Sequence, residues 1–194
     1  MASIQCTTWG HPVTSGLNTI DYFFSSELMK KKESQKYYSE KLINLTGIGI
    51  DYDHCDISNI KKLNIVKKSN KIIFLNLQSL FKLLPQDDHI YLDILKKQPN
   101  CCFWFIHGLR DSISSIFKER VSKLFKNHNL SFNDYSIFHP RCTKDEYLGL
   151  IKESDIILDS LNWSGGNTSL EAISLNKPIV TCPSEFMRGR HTYS

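Results

Sequence analysis

From residue 71 to residue 182 the apolar positions alternate between two spacings. Short unbroken apolar runs, Ile72–Leu77, Cys101–Ile106, Tyr135–Phe138 and Asp155–Leu158, have the pattern of strands covered on both faces. Between them lie stretches with helical spacing. Asp87–Lys97 is one. Asp111–Asn127 is a second, with Ile113, Ile116, Phe117, Val121, Leu124 and Phe125 predicted on one face and Asp111 as its N-cap. Lys144–Glu153 is a third, capped by Thr143. A last unit runs from Asp155 to Pro183. After its strand comes the loop Ser160–Asn167, then Leu170, Ala172, Ile173 and Leu175 at helical spacing, then a strand over Ile179–Cys182. Four strand-then-helix units in succession predict an α/β fold with a doubly wound parallel sheet. Right-handed crossovers then bring Gln78–Lys82, His107–Arg110, His139–Lys144 and Asn162–Ser169 to one edge, where ligands bind.

The first 50 residues are less regular. Ile4–Thr8 reads as a strand, Gly10-His11-Pro12 as its turn, and Thr19–Ser25 as a second strand buried on both sides. Glu33–Leu42 is predicted as a short helix, and Leu42–Ile50 as an extended piece broken by Gly47 and Gly49. Residues 56–70 are polar and lysine-rich. They divide the chain into an upstream part, 1–55, and a Rossmann-like domain, 71–194, with 56–70 as linker.

The loop before the last helix carries the clearest chemistry. Gly165-Gly166 allows a tight turn, and Asn167 or Thr168 is placed to cap the helix. A helix N-terminus at the carboxyl end of a parallel strand suits a phosphate or diphosphate, and Glu171 nearby suits a ribose hydroxyl. The same residues also serve an ordinary turn and cap, and the glycine pair alone does not choose between the two.

Composition narrows the class. With 194 residues and 41% apolar content the chain can bury a sizeable core. No apolar run approaches the ~20 residues that cross a bilayer, and the N-terminus lacks a signal-peptide pattern. A cytoplasmic protein without a membrane partner is expected. The net charge of +4 comes from lysine clusters in 30–41 and 61–71 that lack interleaved aromatics, so no nucleic-acid partner is expected. The six cysteines include no C-x-x-C pair, and no metal site or disulfide framework is predicted.

Several segments together carry a resemblance. TTWGHPVTSGLNTIDYFFSS, YYSEKL, QSLFKLLP, SLNWSGGNTSLEA and PIVTCPSEFMRGRH resemble, in the same order, the catalytic region of the O-linked N-acetylglucosamine transferase family. Bacterial members with tetratricopeptide repeats are the most similar, although no repeat of about 34 residues occurs here. The resemblance implies a GT-B enzyme with two Rossmann-like domains facing a cleft, the first present only in part. It implies transfer of a sugar from a nucleotide donor to Ser or Thr of an acceptor protein with inversion. UDP-N-acetylglucosamine is the first expectation, with UDP-glucose and GDP-fucose also open. On this reading the chain is a fragment whose missing N-terminal region carries tetratricopeptide repeats. The alternative is a non-catalytic nucleotide-binding or interaction module derived from such an enzyme.

The resemblance also implies site residues. Lys82 matches the family's lysine on the donor diphosphate, where a cation offsets charge on the leaving group. Gly166, Asn167, Thr168 and Ser169 match the diphosphate loop, Asn167 standing where the animal enzyme has histidine. Glu171 lies one residue from a ribose-binding aspartate. Lys144 and Tyr147 fall where the nucleobase packs, with tyrosine keeping a flat face. Trp9, Gly10 and Pro12 match a loop that touches the donor sugar, with His11 beside them as a candidate proton carrier and Asp21 as its nearest acid. Arg188, Arg190 and His191 follow the last strand, where they close over the phosphates or face solvent; Arg190 has a counterpart in the animal enzyme. No cofactor beyond the donor substrate is implied.

Overall fold

The computed structural model of the chain describes residues 2–53, 60 and 70–194. The segment 56–70 expected as linker lies, apart from Ile60 and Asn70, outside the described residues. Two parallel sheets form. The smaller has three strands in the order β1 (Cys6–Thr8), β2 (Tyr22–Ser26) and β3 (Lys41–Leu45). The larger has five, in the order β6 (Ser136–His139), β5 (Cys101–Ile106), β4 (Ile72–Asn76), β7 (Ile156–Leu158) and β8 (Ile179–Val180), every neighbouring pair parallel.

Four helices cover the larger sheet: α1 (His89–Lys97), α2 (Asp111–Lys126), α3 (Lys144–Glu153) and α4 (Asn167–Ser174). Their distribution follows from strand order. The chain moves outward from β4 to β5 to β6, so right-handed crossovers put α1 and α2 on one face. It then returns past β5 and β4 to reach β7 and β8, which reverses the direction and puts α3 and α4 on the other. The strand residues sort by parity to match. Phe74, Cys101, Phe103, Phe105 and Leu158 pack with Tyr91, Leu92, Leu95, Phe117, Val121 and Phe125. Ile73, Leu75, Cys102, Trp104 and Ile157 pack with Leu148, Leu150, Ile151 and Ala172. Both faces are therefore dry, which explains why the strands read as continuous apolar runs.

One ion pair ties α1 to α2. Arg120 on α2 donates from Nε and Nη2 to both oxygens of Asp88 (2.6 and 2.9 Å) and from Nη2 to the Leu83 carbonyl (2.7 Å), with Asp88 buried.

Several local expectations change. Glu33–Leu42 is not a helix. Only one 3₁₀ turn forms, Ser34–Tyr37, and Lys41 and Leu42 pair as strand β3 with Tyr22 and Phe23. Strand β2 is fully buried at Phe23, Ser25 and Ser26 but only partly at Tyr22 and Phe24, so one of its faces is incompletely covered. The first helix of the larger domain begins at His89, after a separate 3₁₀ turn at Pro85–Asp87. Arg110, not Asp111, holds the N-cap position of α2, without a side-chain cap bond. Ile116 is 63% exposed, and Ser114 takes the inward place with Phe117, Val121 and Phe125 because those positions share the i, i+3, i+4 stripe. Strand β8 ends at Val180, two residues short of the expected end. Among the described residues Cys6, Cys101, Cys102, Cys142 and Cys182 are free thiols.

Candidate functional site

The strand order of the larger sheet reverses between β4 and β7, and in a doubly wound sheet the ligand crevice opens there. Asn76 pairs with Leu158 at that point, so the segments leaving both strand ends lie side by side. From β7 the chain enters the glycine loop. Asp159 fixes it, Oδ1 accepting from Gly165 N–H (2.8 Å) and Oδ2 from the Thr181 hydroxyl (2.8 Å). From β4 comes Gln78, buried, whose Nε2 donates to Thr168 Oγ1 (2.7 Å) and whose Oε1 accepts from Lys82 Nζ (3.0 Å). One amide thus couples the predicted lysine to the predicted loop.

Gly165 is the tight point of that loop. A Cβ on it would fall 2.6 Å from Thr168 Oγ1, 2.8 Å from Gln78 Nε2 and closer still to Ser169 Oγ. Gly166 has room, its Cβ position meeting only His191 Nδ1 at 3.9 Å. Gly166 also occupies the N-cap position of α4. The expected cap by Asn167 or Thr168 is not made, because Asn167 is the first helical residue and the Thr168 hydroxyl is taken by Gln78. The first N–H groups of an α-helix have no preceding turn to bond to, and α4 begins at this loop.

Lys82 reaches this crevice from a 3₁₀ turn, Leu80–Lys82. Its Nζ also stands 5.7 Å from the centre of the Trp163 ring. Both partners are neutral. Burial pushes its pKa down, and Asp159 offsets part of that. The same lysine borders a cavity of about 420 Å³ between α1 and the ends of β7 and β8, lined among others by Asp159, Leu161 and Thr181.

Lys144 and Glu171 meet each other. Lys144 Nζ forms an ion pair with Glu171 Oε1, joining the start of α3 to α4, and Glu171 is buried while Lys144 is largely exposed. Tyr147, one turn along α3, lines a second cavity of about 250 Å³ with Leu77, Gln78, Ile106, Arg141 and Cys142. Thr143 positions both residues through a full capping box with Glu146. The Lys144 ammonium is 5.9 Å from the Tyr147 ring.

The smaller sheet reaches the same place through Trp9. Its ring packs on His191 with centroids 5.2 Å apart, and both border a small cavity with Gly166 and Ser169. Gly10 is exposed, Pro12 is buried, and His11 is exposed; Asp21 accepts from Gln5 N–H (2.8 Å). Arg190 donates to the Ser184 carbonyl (3.1 Å) and lies over Tyr193, so it braces the C-terminal segment. Three groups of this site had no assigned role in the sequence. Gln78 opens a predicted β-to-α loop, Asp159 falls between the predicted strand and the predicted glycine loop, and His191 is one of three basic residues left between phosphates and solvent. Among the described residues no three His, Cys, Asp or Glu side chains gather to hold a metal. No described helix is long and apolar enough to cross a membrane.

The sequence profile of glycosyl transferase family 41 matches residues 61–194. The chain belongs to this family. Among curated relatives it is 26% identical, over 97% of its length, to a probable UDP-N-acetylglucosamine–peptide N-acetylglucosaminyltransferase SEC of Arabidopsis thaliana. It is 23% identical, again over 97% of its length, to the corresponding SPINDLY protein of Eustoma exaltatum. The chain spans 20% of the length of each. Its fold superposes over its full length on 36% of an O-GlcNAc transferase of Thermobaculum terrenum, with a TM-score of 0.80 and 21% identity. The α/β arrangement of two parallel sheets is thus that of a GT-B catalytic region.

Proposed function

We propose that this family 41 chain forms the donor-binding part of a protein O-glycosyltransferase, which moves N-acetylglucosamine from UDP-N-acetylglucosamine to Ser or Thr hydroxyls with inversion. The observation that carries the reading is the coupled set at the switch point: Lys82, Gln78, Thr168 and the N-terminus of α4 converge on one crevice, with Lys82 bonded to the neutral Gln78 amide and its charge offset in part by Asp159. A part-buried cation that its surroundings do not fully neutralise gains from an arriving anion. The diphosphate would lie across the α4 N-terminus. Tyr147 would offer the nucleobase a flat wall, and Lys144 with Glu171 would face the ribose side. As the glycosidic bond breaks, negative charge grows on the terminal phosphate, and Lys82 with the helix N–H groups offsets it without a metal. On this reading His11, exposed beside Trp9, is the proton carrier.

Calorimetry with UDP, GDP and uridine on the chain and on Lys82→Ala tests the reading. The variant should lose roughly 1.5–3 kcal/mol toward UDP, the size of a charged hydrogen bond, and almost nothing toward uridine. Equal losses for both ligands would remove Lys82 from the phosphates. Preference for GDP over UDP would exclude the uridine donor.

A further inference from the structure

The C-terminal segment is fastened directly onto the glycine loop. Ser164 N–H donates to the Arg188 carbonyl (2.8 Å), the Thr192 hydroxyl donates to the Gly165 carbonyl (3.1 Å), and Thr192 Oγ1 and Ser169 Oγ share a hydrogen bond of 2.7 Å. His191 lies between these anchors. Its Nδ1 faces Gly166, the residue that opens α4, and its ring is backed by Trp9 from the other sheet. Its Nε2 is buried and, among the described residues, has no hydrogen-bond partner. Of the two ring nitrogens, Nδ1 is therefore the one that an anion held at this helix end would meet.

We infer that His191 is a further binding residue for the donor diphosphate, which takes up a proton as the anion arrives and donates from Nδ1 to a phosphate oxygen. The inference rests on the proposed donor reading. Without ligand, burial and the nearby charges of Lys30 and Lys82 push the imidazole down to about 4, so it is neutral at pH 7. Arg190, next in the chain, is turned to Ser184 and Tyr193, and Asp159 bears on Lys82. A diphosphate would reverse the sign of the local field and return the ring toward its ordinary range near 6.5. Binding then strengthens as pH falls below about 6.5 and levels off near 4. If the bound ring regains a pKa of about 6.5, affinity at pH 5.5 is roughly ten-fold higher than at pH 7.5. Lys30, itself pushed down to about 7 by burial, adds proton uptake at higher pH that does not depend on His191.

The probe is UDP-N-acetylglucosamine, whose two phosphates each carry one ester and one anhydride bond and exchange no proton in this range. Calorimetry at pH 5.5 and 7.5, each in two buffers of different ionisation enthalpy, should show proton uptake at pH 5.5 and the ten-fold gain. His191→Gln should lose the uptake at pH 5.5 and most of the gain, keeping only the part that Lys30 contributes. Nuclear magnetic resonance of the His191 imidazole in the unmutated chain reads the same quantity without a variant: its midpoint should rise from about 4 when the probe is added. Binding with an unmoved midpoint, or with uptake unchanged in His191→Gln, would overturn this inference alone. Failure of the unmutated chain to bind the probe would overturn it together with the donor reading.

Discussion

Gly165→Ala gives the sharpest test of how the loop is built. The added methyl would displace Thr168 Oγ1, Gln78 Nε2 and Ser169 Oγ, none of which is idle. Moving Thr168 or Gln78 breaks the bond between them, and moving Ser169 breaks its bond to Thr192. Two hydrogen bonds at about 0.5–1.5 kcal/mol each, plus overpacking of about 1–3 kcal/mol, give a loss of roughly 2–6 kcal/mol. For a chain of this size the lower half of that range lowers Tm by about 5–12 °C. Gly166→Ala is the control, because its methyl meets only His191 Nδ1 at an ordinary 3.9 Å; it should stay within about 1 kcal/mol of the parent. Urea unfolding of both variants gives the stabilities, and UDP calorimetry gives the binding consequence, with Gly165→Ala the weaker binder. Equal midpoints and equal UDP affinities for the two variants would refute the claim that Gly165 is the constrained position.

Three more outcomes follow from the same geometry. Tyr147→Phe should keep UDP affinity and Tyr147→Ala should weaken it, because the proposed contribution is the ring face; calorimetry showing equal losses in folded variants would end the stacking assignment. Arg120→Ala should cost about 3–5 kcal/mol in urea unfolding, since Asp88 would be left buried and uncompensated, whereas replacing both residues together should cost less. His139, packed on Trp104 with its pKa pushed down to about 4 by burial, is protonated more readily in the unfolded chain. Its contribution is full above about pH 6.5 and is lost as pH falls toward 4, so His139→Phe should flatten the acid side of the stability profile.

The larger sheet was legible in the sequence because its strands are dry on both faces. Cys101–Ile106 reads as one apolar run since alternate residues feed the two cores, and Lys144–Glu153 was bounded correctly because Thr143 and Glu146 carry their own capping box. The misreadings share a cause. Lys41 and Leu42 look helical locally, but Lys41 N–H bonds to the Asp21 carbonyl and the segment is claimed by β2 as a strand. Ile116 is apolar yet lies off the buried stripe, so composition alone placed it inward. In both cases partners distant in the chain decided the outcome.

The site divides along the same line. The glycine pair, Lys82 and Tyr147 carry chemistry that spacing and resemblance expose. Gln78 carries none until the fold brings it to Thr168, 90 residues away, and His191, open in the sequence between phosphates and solvent, is placed only when the C-terminal segment is stitched to Gly165 and Trp9 arrives from the other sheet. These later residues give the crevice its electrostatic character. Gln78 is the neutral amide that holds Lys82 in place of a carboxylate, and Trp163 and Trp9 supply neutral ring faces beside Lys82 and His191. A carboxylate in the place of Gln78 would satisfy Lys82 permanently and remove its gain from an incoming diphosphate. Gln78→Glu therefore separates scaffold from site. It should leave the fold stable or slightly stabilised, through a charged bond to Lys82 and a retained acceptor, while lowering UDP affinity more than uridine affinity. Urea unfolding alongside calorimetry reads both. A Gln78→Glu chain that binds UDP as tightly as the parent would mean that the phosphates do not lie beside Lys82 and Thr168.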